Sequence, residues 1–214
     1  LRRGQMVALV GESGSGKTMM ARSLLGLVPS PPRVAGLPGR VMFDGQDLLS
    51  LSSEELRKIR GHRIAMIFQD PLTSLNPLKT IGDQLVETIL THLPVNADQA
   101  KRKALVGLEE VGIDPGRFNA YPHEFSGGQR QRICIARSLA MKPEILIADE
   151  AVSALDVSVQ AQVLGLLDEV REQLNLAMLF ITHDLRVAAQ VCDRVAVMSK
   201  GEIVETGRTA DIFL

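Results

Sequence analysis

The chain has 214 residues, of which 45% are hydrophobic and 23% charged, so it can form one substantial globular domain. Its formal net charge of −1 argues against a protein whose main work is sequence-independent DNA binding, because that work needs a basic surface. We therefore expect no nucleic-acid partner. No apolar run approaches the roughly 18 to 20 residues that span a bilayer, and no signal peptide is recognisable.

The two cysteines, Cys134 and Cys192, are far apart in the sequence and match no metal-ligand spacing. This is typical of buried thiols in a cytoplasmic protein rather than of a disulfide. The chain begins with Leu1, enters a strand–loop motif almost at once and stops at Leu214. We interpret it as a piece of a longer protein, trimmed at both ends.

The first part of the chain has the pattern of an α/β protein. A short apolar run ends at a glycine-rich loop, which predicts a buried parallel strand before a helix. Asp44-Gly45 suits a tight two-residue turn, and Ser52 or Ser53 can cap a short helix. The predicted strand, helix, proline-rich loop, hairpin, short helix and second strand cover, in this order, Met6–Val10, 17–27, 28–38, 40–49, 52–60 and 64–68.

The character of the sequence changes between Pro71 and Met141. Strand patterns are weak there, whereas apolar residues such as Leu105, Leu108 and Val111 recur at helical spacing. We predict a helical subdomain over residues 71–141. It would be inserted into an α/β core that residues 1–70 and 142–214 form together.

The α/β pattern then resumes. Residues 144–148 predict a buried strand with Asp149 and Glu150 at its carboxyl end. The next predicted helix has one apolar face, formed by Val159, Val163, Leu166, Val170 and Leu174. Asn175 is a plausible left-handed stop, and Ala177–Ile181 completes a parallel βαβ unit. A hairpin over residues 194–198 and 202–205, with a Lys200-Gly201 turn, ends the pattern.

The strongest motif follows the first strand. It fits the phosphate-binding pattern of two glycines flanking four residues, followed by Lys and Thr, and consists of Gly11, Glu12, Ser13, Gly14, Ser15, Gly16, Lys17 and Thr18. Glycines let backbone N–H groups converge on phosphate oxygens, and the helix N-terminus favours an anion. Lys17 can reach the β- and γ-phosphates, and the Thr18 hydroxyl can bind Mg²⁺. The alternative is a glycine-rich turn with a chance lysine.

The acidic pair is the second motif. Asp149 and Glu150 end a buried strand, where open α/β sheets bind ligands. Asp149 would hold Mg²⁺, and Glu150 would polarise the attacking water as a general base. Surface acids often follow strands, so this pair is informative only together with the phosphate loop.

A second glycine-rich helix N-terminus is the third motif. Ser126, Gly127, Gly128 and Gln129 follow Phe125 and precede a predicted helix over residues 130–141. The alternative is a loop in which Ser126 merely caps the helix. One nucleotide needs only one phosphate loop, so a second site of this kind raises the question of whose phosphate it binds.

The segment Ser126-Gly127-Gly128-Gln129 resembles the signature motif of the ABC ATPases. Other landmarks of this family follow in the expected order: Gln69 after its strand, Ser153-Ala154-Leu155-Asp156 as the D-loop and His183 as the switch histidine. The resemblance covers essentially the whole chain. It implies an α/β fold, namely a P-loop NTPase core of the ABC ATPase type with an inserted helical subdomain and peripheral antiparallel β hairpins.

The resemblance also implies roles for the four landmarks. Two such domains pack head to tail, and each MgATP lies between the phosphate loop of one and the signature, with Asp156 nearby, of the other. Gln69 would sense Mg²⁺ and the attacking water, and His183 would contact the γ-phosphate. Taken alone, Gln69 and Asp156 would be polar loop residues and His183 an exposed or core histidine. The other histidines, His62, His92 and His123, are interpreted as surface residues.

This sequence departs from the family pattern in three places. Ala151-Val152 replaces the common Pro-Thr, and Phe125 replaces the commoner Leu, neither of which removes a catalytic group. The aromatic residue that stacks on adenine precedes the first strand in this family, and no residue here can be named for it.

Several stretches resemble the group of ABC ATPases that serves oligopeptide, dipeptide, nickel and glutathione importers. They are Phe68-Gln69-Asp70-Pro71, Ser74-Leu75-Asn76-Pro77, Tyr121-Pro122-His123-Glu124 and the run 156–162. The resemblance implies a peripheral ATPase on the cytoplasmic face of the inner membrane. Its partners would be a second ABC ATPase subunit, two transmembrane permeases and an external substrate-binding protein. The alternatives are proline-punctuated loops without this meaning, a soluble ABC ATPase acting on DNA or ribosomes, and a regulatory nucleotide-binding module.

Overall fold

The computed structural model describes residues 1–28, 39–153 and 155–213. The strands are β1 Met6–Val10, β2 Met42–Phe43, β3 Gln46–Asp47, β4 Ile64–Ile67, β5 Ile145–Asp149, β6 Ala177–Ile181, β7 Arg194–Ser199 and β8 Glu202–Arg208. Six of them form one sheet in the order β4-β5-β6-β1-β7-β8, in which only the β7–β8 pair is antiparallel. The carboxyl ends of the parallel strands therefore meet at one edge of the sheet.

Helices cover both faces of this sheet. They are α1 Lys17–Leu24, α2 Ser53–Ile59, α3 Pro71–Ser74, α4 Ile81–His92, α5 Ala97–Glu110, α6 Gly127–Leu139, α7 Val157–Leu174, α8 Leu185–Val191 and α9 Thr209–Ile212. Residues 71–141 contain helices and short 3-10 turns but no strand, as the sequence predicts. Assignment of these residues to a separate subdomain stays a prediction. Among the described residues, no helix combines the length and the apolar character needed to cross a bilayer.

The parallel strands β1, β4, β5 and β6 are buried on both faces, which is why they are continuous apolar runs. Alternate residues of a strand point to opposite faces. Ala8, Leu146 and Met178 belong to the larger apolar cluster, whereas Leu9 and Ile147 belong to the cluster on the α1 side. These two apolar clusters hold the strands in place, and with them the strand ends and the loops that follow.

Some element boundaries differ from the prediction. The helix after the phosphate loop ends at Leu24 instead of Leu27, and the 40–49 hairpin keeps only two residues in each strand. Strand β8 is longer than predicted and continues to Arg208. The predicted proline-rich loop lies outside the described residues, apart from Val28.

Other predictions of local structure are confirmed. Asn175 ends α7 in the left-handed conformation, with φ 49°. Cys134 and Cys192 are free and buried, and burial raises the pKa of their thiols to about 11 and about 12. Both thiols are therefore inert at neutral pH.

Candidate nucleotide site

The phosphate loop joins the carboxyl end of β1 to the N-terminus of α1. Gly14 and Gly16 have φ values of 79° and 102°, and a Cβ on Gly11 would lie 2.1 Å from the carbonyl oxygen of Met198. A side chain at Gly11 would therefore collide with the backbone of β7. The loop is further fixed by the N–H of Gly201, which donates to the Ser15 carbonyl at 2.9 Å.

Lys17 lies folded over this loop. Its Nζ donates to the carbonyl oxygens of Gly11 and Glu12, both at 2.9 Å, and only 5% of the residue is exposed. Within the described chain, no carboxylate lies within ion-pair distance of this ammonium. A largely buried cation without a counter-ion is a binding group for an anion.

Thr18 and Asp149 lie directly beside this cation. The Thr18 hydroxyl donates to Oδ1 of Asp149 at 3.0 Å. Asp149 is fully buried, and its Oδ2 has no partner among the described residues. Burial raises the pKa of this carboxyl, although the Thr18 bond opposes the shift. A buried carboxylate oxygen without a partner beside a hydroxyl is the oxygen set that Mg²⁺ prefers, so these residues fit the ion.

Glu150 comes next in the chain and turns toward two other strand ends. Its backbone has φ 48°, and its N–H donates to the Ile181 carbonyl at 3.0 Å. The Gln69 amide donates to Glu150 Oε2 at 2.8 Å, and His183 Nδ1 lies 3.6 Å from Oε1. The three residues predicted to be catalytic thus meet, each positioned by the end of a different strand.

This cluster is accessible from one side. The Glu150 side chain is 16% exposed, whereas the His183 side chain is 56% exposed. A partly buried carboxylate held by an amide and an imidazole can accept a proton from a water molecule on its open side. Within the described residues, no group of three or more His, Cys, Asp or Glu side chains could hold a metal ion.

The glycine-rich segment 126–129 has a different environment. The Ser126 hydroxyl accepts from the Gln129 N–H at 3.3 Å, and the Gln129 side chain accepts from the Ser126 N–H at 3.0 Å. This capping box starts α6 at Gly127, three residues earlier than predicted. Ser126 and Gly127 are exposed. Among the described residues, no hydrogen bond joins this segment to the phosphate loop.

Asp156 and the start of α7 lie beside this segment. Asp156 is exposed, caps α7 and accepts from the Val159 N–H at 3.0 Å. Ala154 of the predicted D-loop lies outside the described residues. A Cβ on Gly128 would come within 2.3 Å of Val159 Cγ1, so the first turns of α6 and α7 touch. Asp156 makes a local bond here, and its predicted role toward nucleotide stays a prediction.

The remaining histidines lie away from this site. His123 is exposed, as expected of a surface residue, whereas His62 and His92 are half-buried and stack with ring centroids 6.4 Å apart. Burial and the neighbouring His62 lower the pKa of His92.

The chain is similar to known ATP-binding proteins over its whole length. The profile of the ABC transporter family matches residues 1–153. The oligopeptide transport ATP-binding protein OppD of Bacillus subtilis is 48% identical, and the dipeptide transport ATP-binding protein DppD of the same organism is 50% identical. Both matches cover all of this chain. The chain spans only 60% and 64% of the length of these relatives.

A solved structure shares the fold. The dimeric ATP-binding cassette MJ0796, bound to ADP and phosphate after hydrolysis, superposes with a TM-score of 0.85 at 29% identity, covering 98% of this chain and 87% of that one. The sequence prediction of an α/β core of the ABC ATPase type with an antiparallel hairpin is confirmed. The chain belongs to the ABC transporter family.

Proposed function

We propose that this chain binds MgATP and hydrolyses it in a head-to-tail dimer, as the ATP-binding subunit of an importer. The observation that carries this proposal is the pairing of two sites at one sheet edge. Lys17, Thr18 and Asp149 offer a cation and ligands for a metal ion, and Gln69 and His183 flank the Glu150 carboxylate.

Each group has a separate task in this proposal. Residues 11–17 bind the phosphates through backbone N–H groups and the Lys17 ammonium. Thr18, Asp149 and Gln69 would hold Mg²⁺, and the bound ion would neutralise charge on the phosphate oxygens. Glu150 accepts the proton of the attacking water, and Gln69 and His183 orient its carboxylate.

The second glycine-rich segment completes the site of the partner protomer. Ser126 and Gly127 are exposed, Gly128 and Gln129 are partly buried, and within the described residues the segment makes no hydrogen bond to the phosphate loop of its own chain. Its serine hydroxyl and helix N-terminus suit the γ-phosphate of an ATP held by the second subunit. Asp156 caps the adjacent helix α7, and in the proposed dimer it would lie at the same interface.

The transported solutes are peptides or related small molecules. Support comes from the loops around Gln69 and before Ser126 and from the names of the relatives, which are oligopeptide and dipeptide transport proteins. Nickel and glutathione remain alternative cargoes. Two permeases, an external binding protein and a location on the cytoplasmic face of the inner membrane follow from this role. The alternative of a soluble ATPase acting on DNA or ribosomes gains no support from these relatives.

Two measurements test the two halves of the proposal. The full-length protein should hydrolyse ATP in the presence of Mg²⁺, and absence of hydrolysis would overturn the enzymatic half. Purification from its own membranes in mild detergent should recover two multi-spanning permeases. Recovery in the soluble fraction with DNA or ribosomes would leave the ATPase half intact and overturn the transport half.

A further inference from the structure

Two buried glutamines of the helical region differ in how their amides are satisfied. Gln84 on α4 is 5% exposed; its Oε1 accepts from the Asn76 N–H, and its Nε2 donates to the Asn76 and Lys79 carbonyls. Gln131 on α6 is 1% exposed, and its Nε2 has no partner among the described residues. A buried donor without an acceptor lowers the free energy of unfolding, so a contribution to stability does not explain the presence of Gln131 at this position.

The helical period places Gln131 on the face of α6 that contacts β4. Cys134 and Ser138 are three and seven residues further along this face. The Ser138 hydroxyl donates to the Met66 carbonyl at 3.4 Å, and burial, with a smaller contribution from the Asp70 carboxylate, raises the pKa of Cys134. Seven helical residues rise about 10 Å, which equals about three strand residues. Gln131 is therefore level with the end of β4, where Gln69 begins its loop.

The adjoining face of α6 contacts α7. Gly128 packs against Val159, and the Arg132 guanidinium donates to the Gln162 side chain. Gln131 lies between these two faces, because it is three residues after Gly128 and one before Arg132. Its unpaired amide is thus placed where three elements meet, namely the segment that carries Gln69, the first turn of α6 and the first turn of α7.

We propose that Gln131 is a positioning residue that couples the signature segment to Gln69. When a second subunit's nucleotide engages Ser126–Gln129, the N-terminal half of α6 moves, and the Gln131 amide donates to the backbone that follows β4. That contact sets the position of Gln69, whose amide holds Glu150 at 2.8 Å. The inference rests on the proposed function and adds a link between the two half-sites.

A pair of matched substitutions in the full-length protein tests this role. Gln131→Met removes an unpaired donor at similar volume, so the melting temperature should stay equal or rise. ATP affinity should stay within about twofold, and kcat should fall about tenfold or more, because Glu150 is misplaced. Gln84→Met removes satisfied bonds, so it should lower the melting temperature and leave kcat per folded molecule unchanged.

A double substitution identifies the route of the effect. Because Gln131 acts through Gln69, Gln131→Met should lower kcat by less than about twofold in a Gln69→Ala background. Full additivity, an unchanged kcat for Gln131→Met, or a loss of melting temperature as large as that of Gln84→Met would each overturn the inference. None of these results would affect the proposed function, whose enzymatic half fails only if the wild-type protein hydrolyses no ATP.

Discussion

The two glycine-rich turns of this protein precede helices in the same way but are held in opposite ways. The loop before α1 is part of the sheet edge, with Lys17 buried and Gly11 packed against the backbone of β7. The segment before α6 is exposed at Ser126 and Gly127 and is satisfied by its own capping box. The first turn has every neighbour that a phosphate site needs, whereas the second offers donors and has no such neighbours.

The difference agrees with the proposed dimer, in which each of the two turns supplies one half of a shared nucleotide site. A buried lysine without a counter-ion and a buried aspartate oxygen without a partner are unfavourable until an anion and its metal arrive. The signature segment carries no comparable internal strain. Changes in the first turn should therefore act on binding within one chain, and changes in the second should act on the association of two chains.

The largest effect is expected at Glu150, which lies beside the phosphate loop and is the proposed proton acceptor. Glu150→Gln should lower hydrolysis by about 10²- to 10⁴-fold, since the proton acceptor is lost. ATP should still bind, so an ATP-bound dimer should accumulate, as measured by light scattering with chromatography. The exposed Glu87→Gln serves as the control and should stay near wild type. Fast turnover by Glu150→Gln would show that another group is the base.

A smaller effect is expected for Lys17→Ala, which removes the buried cation. Charge-assisted bonds to phosphate contribute about 1.5–3 kcal/mol, so ATP affinity should fall about 10- to 100-fold. Titration calorimetry of the full-length protein measures this loss. The exposed Lys103→Ala should leave affinity unchanged, and unchanged affinity in Lys17→Ala itself would refute the assigned role.

Adjacent glycines sharpen the contrast within the second turn. Gly128→Ala should cost about 1–3 kcal/mol of unfolding free energy, because the added Cβ meets Val159 at 2.3 Å. Gly127 has nothing within 4 Å of the corresponding position, so Gly127→Ala should keep the melting temperature and weaken only ATP-dependent dimerisation. Thermal melts with sizing measurements separate the two effects. Equal melting temperatures for both variants would contradict the packing argument.

The smallest effect concerns Asp149 and pH. Burial raises the pKa of its carboxyl, so the contribution of this group to stability is complete below its ordinary value and is lost as pH rises through the folded value. The charged form therefore destabilises the nucleotide-free protein at neutral pH. Asp149→Asn should melt at an equal or higher temperature at pH 7, and the difference should shrink in acid. It should also lose the added stabilisation by Mg²⁺ with ATP.

The comparison also explains what the sequence could predict. Apolar runs revealed the parallel strands, because a sheet covered on both faces needs them. The start of α6 was predicted too late, since two glycines have low helix propensity and the Ser126–Gln129 capping box outweighs it. The hairpin at 40–49 was predicted too long, because residues 48–50 turn into a 3-10 helix capped by Asp47.

The candidate site divides in the same way. Glu150 was predicted from its place at a strand end, and Gln69 and His183 were predicted from the resemblance to ABC ATPases; the structure places the three side chains together. Gln131 carries no sequence signal, since a glutamine in a helix is ordinary until its burial and its missing partner are known. The roles of Ser126 and Asp156 across a dimer stay predictions.

The central claim is that one working site needs residues from two chains. Two full-length variants are mixed: Lys17→Ala, which lacks a working phosphate loop, and Ser126→Arg, which blocks the signature segment. Each variant alone should be inactive, and the mixture should regain hydrolysis, because a mixed dimer has one intact pair of half-sites. Hydrolysis by Ser126→Arg alone at the wild-type rate, or a folded mixture that stays inactive, would contradict the account.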